Sequence, residues 1–122
     1  MTSPTARSLQ ELRKQGLVCQ VVEHWNAFSR MRNDLLGVID IVAVGVGIVG
    51  VLGVQATTTG NMMARIQKGM AEPRLKVWLQ SGNHFQVWGW SKKGKRGEKK
   101  VWTLTKKQIV LCGDALGYEP IA

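Results

Sequence analysis

The sequence predicts an α+β fold: a helix, a three-stranded meander, a second helix and a further strand, followed by a basic β-hairpin. Three observations predict it. Residues 5–15 repeat apolar side chains at helical spacing, residues 37–57 form a Val- and Ile-rich run interrupted by glycines, and residues 84–104 hold two strand-like segments around a lysine-rich tip. At 122 residues the chain suits one domain with one core. That domain is taken as 1–122, with its core over about 5–80 and the basic hairpin over about 84–105.

In the first element Ala6, Leu9 and Leu12 recur every three residues among Arg7, Gln10, Arg13 and Lys14. Ser3-Pro4 suits the start of an amphipathic helix and Gly16 its stop. Residues 17–25, LVCQVVEHW, read as a strand, and residues 26–34, NAFSRMRND, as a loop or irregular turn.

Residues 37–59, GVIDIVAVGVGIVGVLGVQATTT, carry one charge, Asp40. Extended to 35–56 the run passes a crude membrane-span filter of about 18 apolar residues. Glycines at 37, 45, 47, 50 and 53, the Val and Ile content, and the cost of a charged Asp within a bilayer argue instead for a buried hairpin. Its strands are expected over 37–44 and 50–57, and no membrane span is expected. With the turn centred between Gly47 and Ile48, paired residue numbers sum to 95. Asp40 then opposes Gln55, and Thr57 shares their face: the three form a small polar site, or Gln55 simply satisfies a buried Asp40, or the strand end is solvated. A slip of one residue would move the set to the other face.

Residues 60–70 read as a short helix with Asn61 at its N-cap and with Arg65 and Lys68 on one face. Residues 76–80 read as a strand. Residues 84–91 and 100–104 read as strands joined by the tip KKGKRGEKK, 105–112 as a helix or strand, and 113–122 as irregular. On 84–91, Trp88 and Trp90 project from one face and Phe85, Val87 and Gly89 from the other. The tryptophans, Trp25 and Trp78 included, are read chiefly as core.

Seventeen basic residues against eight acidic ones give a net charge of +9. That balance favours a polyanionic partner, nucleic acid before an anionic membrane surface. Eight of the basic residues lie between Lys92 and Lys107, where the sole acid is Glu98. Lys92, Lys93, Lys95, Arg96, Lys99 and Lys100, with Arg30, Arg32 and Arg65, are the candidate phosphate contacts. A solvated tip that touches nothing is the plainer alternative. The N-terminal stretch has no apolar h-region and does not read as a signal peptide. Cys19 and Cys112 cannot build a four-cysteine zinc site and are expected to be reduced. His24 and His84 lack metal-ligand spacing.

The order of elements, with Asp40 and Gln55-Ala56-Thr57 where they fall, resembles the PD-(D/E)XK nuclease superfamily. NDLLGVIDIVAV, GVLGVQATTTGN and ARIQK are similar to segments of small uncharacterised phage-encoded members. The resemblance covers roughly residues 5–80. It implies an αβββαβ restriction-endonuclease-like core and metal-dependent hydrolysis of a DNA phosphodiester, with Mg²⁺ or Mn²⁺ as cofactor. It also implies Asp40 and Gln55 as metal ligands, Glu11 of the first helix as support, and Lys68 as a catalytic lysine displaced onto the second helix. Asp34, six residues before Asp40, is either a second ligand or a turn cap. The chain departs from the family pattern at two positions, with Gln55 in the slot for an acid and Thr57 in the usual lysine slot. The alternative is therefore a catalytically inactive nuclease-fold protein that binds nucleic acid. A third reading is binding of a host protein through the basic hairpin. A homodimer would suit the family, and the expected location is the cytoplasm, that of the bacterial host if the chain is phage-encoded.

Overall fold

The structure is a computed structural model that describes residues 2–121, with the side chains of Asn26 and Arg32 outside the description. The chain runs α1 (Pro4–Lys14), β1 (Val18–Val21), β2 (His24–Asn26), β3 (Met31–Asn33), β4 (Ile41–Val44), β5 (Leu52–Thr58), α2 (Met62–Met70), α3 (Pro73–Gln80), β6 (His84–Lys93), β7 (Val101–Cys112) and β8 (Ala115–Ile121). A six-stranded sheet has the order β1-β4-β5-β6-β7-β8, and β2 pairs only with β3. Every neighbouring pair in the large sheet is antiparallel except β5 and β6, which are parallel and joined through α2 and α3. The fold is α+β with a mixed sheet.

Alternation along the strands gives each face its own core. Leu12 of α1 packs with Ile41, Ala43, Leu52, Val54 and Trp88. Ile66 of α2 and Leu75 of α3 pack with Ile39, Phe85, Val87 and Ile109. Ile66 is fully buried, so truncating it to alanine would cost about 2–5 kcal/mol. Trp88 and Trp90 face α1, and Trp90 Nε1 donates to the buried Ser8 hydroxyl at 2.9 Å. Gly89 lies on the opposite face, where a Cβ would collide with the Met62 thioether.

The β4–β5 register follows the expected sum of 95: Ile41 faces Val54, Val42 faces Gly53 and Ala43 faces Leu52. The connection is longer than a tight turn, spanning residues 45–51. Gly50 anchors it with φ of 84°, and a Cβ there would collide with the Gly82 carbonyl oxygen. Glycine is required on both counts. The first strand also starts later than expected, because residues 34–39 fold into a turn.

Further expectations are corrected. Residues 76–80 are helical, part of α3. Pro73 suits a first helical turn, the Glu72 carboxylate caps the Arg74 N–H at 3.0 Å, and Leu75, Trp78 and Leu79 share the face packed on the core. Residues 115–121 form β8, because Gly113 at φ of 65° opens a two-residue turn that pairs Cys112 with Ala115. The 26–34 segment holds β3, and β1 ends at Val21, before the expected limit of Trp25. Trp25 is 59% exposed and stands outside the core. Among the described residues no helix is long and apolar enough to cross a membrane; the apolar run supplies β4 and β5.

Candidate functional site

Asp40 immediately precedes β4, and its main chain ties three strands together. Its N–H donates to the Val54 carbonyl at 2.9 Å, and its carbonyl accepts from the N–H groups of Val22 (2.8 Å) and Glu23 (3.3 Å). The side chain is 4% exposed. Its Oδ2 accepts from Gln55 Nε2 and from the Ala56 N–H, both at 2.9 Å. One carboxylate oxygen is thus held by two donors.

The acidic neighbours of Asp40 are Glu23 and Asp34, whose ligand oxygens lie with its own within 4.8 Å of one another. The Asp40 carbonyl fixes Glu23 through its backbone. Asp34 is returned to the site by a turn in which Leu35 and Ile39 exchange two hydrogen bonds of 2.9 Å, with Leu36 at φ of 55° and Gly37 at φ of 75°. A leucine in the left-handed region costs on the order of 1–2 kcal/mol, so packing around the turn must hold it there. The Gly37 N–H donates to the main-chain carbonyl of Asp34. The turn is closed by backbone, and the carboxylate belongs to the acid cluster.

Three carboxylates this close cannot all ionise cheaply. Burial pushes the Asp40 carboxyl up to about 7. The charges of Asp34 and Glu23 and a hydrogen bond to Asp34 push the same way, against the Ala56 N–H. Asp34 is also raised, first by burial and then by Glu23, while the Asp40 hydrogen bond, Lys68 and Arg65 oppose the rise. Burial and the neighbouring acids thus raise both Asp34 and Asp40. Arg65 and Lys68, three residues apart on α2, supply the nearby positive charge. Beside them opens a cleft of about 480 Å³ lined by Met31, Asn33, Asp34, Gly37, Lys68 and Arg74.

The donor set suits a hard divalent cation, because every candidate ligand is a carboxylate oxygen. A cation could replace the proton that the cluster otherwise retains. Glu23, Asp34 and Asp40 fit that role together. Gln55 is buried beside Asp40, but its amide nitrogen faces the carboxylate, so it holds the ligand in place. Thr57 lies buried on the same strand face. Glu11 is on α1, where its carboxylate accepts from Gln15 Nε2 at 3.2 Å, and it is not a member of the acid cluster. Sequence reasoning missed Glu23. The available signal was an acid just past the first strand, whose partner strand opens at Asp40.

Lys92, Lys93, Lys95, Arg96, Lys99 and Lys100 are exposed where β6 and β7 end, and residues 94–100 connect those strands. Six residue steps along β6 lead from Val87, the partner of Gln55, to Lys93, so the tip lies roughly 20 Å along the strand direction from the acids. Trp102, across from Lys92 in the ladder, stacks under the Arg7 guanidinium at 3.9 Å. Arg30 is exposed and Arg65 half-buried, while the Arg32 side chain lies outside the described residues. No family model, curated protein or solved structure matches this chain.

Proposed function

We propose that this chain is a small metal-dependent nuclease that hydrolyses DNA phosphodiesters, with a restriction-endonuclease-like core. The observation that carries the reading is the buried Asp40 carboxylate gathered with Asp34 and Glu23 within 4.8 Å. The order α1, antiparallel β1-β4-β5, helices, then β6 parallel to β5 supports the αβββαβ core. The basic charge supports a nucleic-acid substrate.

Asp40, Asp34 and Glu23 would hold Mg²⁺ or Mn²⁺. Such a cation, when bound, neutralises phosphate charge and acidifies a water. Gln55 and the Ala56 N–H fix the orientation of Asp40. Lys68, on the cleft wall beside Asp34, takes the role that Thr57 cannot fill: it offers positive charge to a phosphate oxygen as negative charge develops. Arg65 reinforces that field. The exposed basic tip grips the backbone farther along the strand.

The test is a cleavage assay on linear duplex, single strand and four-way junction, each with Mg²⁺, Mn²⁺ or EDTA, with wild type beside Asp40→Asn. Metal-dependent cutting that the variant loses is the expected result. DNA binding without cutting by either protein would favour the second reading, a nuclease fold that only binds. The inward-facing Gln55 amide and Thr57 in the lysine slot are the features on that side.

A further inference from the structure

The β2–β3 hairpin stands apart from the six-stranded sheet. A lone two-stranded ribbon is marginally stable in water, yet this one exposes large apolar side chains. Trp25 is 59% exposed, Met31 60%, and Phe28, at the turn, fully. Arg30 is exposed in the same turn. Both ends of the hairpin lead directly into the acid cluster, since Glu23 precedes β2 and Asp34 follows β3. Met31 and Asn33, two apart and so on one face, line the cleft shared with Asp34, Lys68 and Arg74. Trp25 faces Arg32 in the ladder and belongs to the other face.

An apolar ribbon on a surface calls for a partner. Arg30 on the arm and Lys68 on the cleft are exposed cations, whereas Arg74 is paired with Glu72 and Asp34 lines the same cleft; the chain as a whole carries a net charge of +9. That charge favours a polyanion that also offers flat apolar faces. Unpaired nucleotides offer both, because their bases stack on exposed aromatic rings whatever the sequence. Paired bases in a duplex are stacked on one another and offer no such face. We propose that the β2–β3 hairpin is a substrate-selecting arm that stacks unpaired bases of single-stranded nucleic acid against Trp25 and Phe28, on a ribbon whose two ends adjoin the acid cluster. The substrate class rests on the nuclease reading, while the binding preference is measurable without it.

The experiment uses the full chain in EDTA, with fluorescein-labelled oligothymidylate of 20 nucleotides and a blunt 20-base-pair duplex as probes, at one salt concentration. Wild type should bind the single strand more tightly. Trp25→Ala with Phe28→Ala should weaken single-strand binding by about tenfold or more and leave duplex binding unchanged. The conservative pair Trp25→Phe with Phe28→Tyr should restore it. Unaltered melting of each variant shows that the sheet is intact. Equal affinity of wild type and alanine variant for the single strand overturns the proposal, as does equal weakening on both probes. Loss of binding to phosphatidylglycerol vesicles with oligothymidylate binding intact would overturn it in favour of a membrane-facing arm. A sedimentation shift from dimer to monomer, with oligothymidylate binding intact, would do so in favour of a self-contact. Asp40→Asn separates the two readings. If neither wild type nor this variant cleaves, yet the alanine pair loses the single strand, the nuclease reading falls and the arm stands. If wild type cleaves and the alanine pair binds normally, the arm falls and the nuclease stands.

Discussion

The acid corner and the basic tip are built in opposite ways. Asp40 is buried, its backbone holds three strands together, and its carboxylate has two fixed donors and two acidic neighbours. Lys92 and Lys93, in the last strand pairs, and Lys95, Arg96, Lys99 and Lys100, beyond them, are all exposed. On the proposed reading the contrast separates two physical tasks. Groups that hold a cation must be pre-positioned out of water, where a misplaced charge is costly. Groups that attract a polyanion act through the summed field and tolerate motion.

The sharpest way to break this contrast is at Asp40. Asp40→Ala should abolish metal-dependent cleavage and strand the Gln55 amide and the Ala56 N–H without their acceptor, at about 1–3 kcal/mol each. Denaturant unfolding and the cleavage assay read the two losses separately. Asp40→Asn keeps an acceptor oxygen, so it should lose cleavage and Mn²⁺ binding without that penalty.

The pH response follows from the same residue. Its carboxyl is raised from 3.8 to about 7 in the fold, so between those values the native state binds more protons than the unfolded chain. The Asp40 contribution to stability in EDTA should be largest below about pH 4, fall as pH rises through 7, and level off above. Melting across this range should show it, and Asp40→Asn should flatten it and melt higher than wild type at pH 8. Cation binding should strengthen over the same rise, as the retained proton is displaced.

Gln55→Met keeps the volume but removes the donor to Asp40. Cleavage should fall by about 10–100-fold, the usual cost of losing a group that orients a ligand. At the tip, replacing its six cations by glutamine should weaken nucleic-acid binding. The log–log salt slope should become shallower by about 0.9 for every phosphate no longer neutralised, while stability moves by no more than about 0.5 kcal/mol. A titration at several salt concentrations measures both slope and affinity. The smallest effect is expected at Glu11, outside the acid cluster: Glu11→Gln should leave Mn²⁺ affinity and cleavage unchanged.

Legibility in the sequence followed the range of the interaction. The 95-sum register could be read because glycine positions and apolar strands specify a hairpin locally, and that register set Asp40 beside Gln55. The α3 helix was also written locally, in Glu72-Pro73 and Gly82, but Val77 and Trp78 suggested a strand by β-propensity. Packing of Leu75, Trp78 and Leu79 outweighs that preference. Glu23 was not legible, because its place beside Asp40 arises only when β1 pairs with β4. Asp34 remained open between ligand and cap until the backbone of Gly37 closed the turn without its side chain.

The arm between the two outer acids has a consequence for engineering. Its ends are clamped, at Glu23 by the Asp40 carbonyl and just beyond Asp34 by the Leu35–Ile39 pair. What lies between contributes no strand to the main sheet. Residues 24–33 are therefore an exchangeable cassette: ribbons of other lengths and compositions can be grafted between the clamps while the carboxylates keep their spacing.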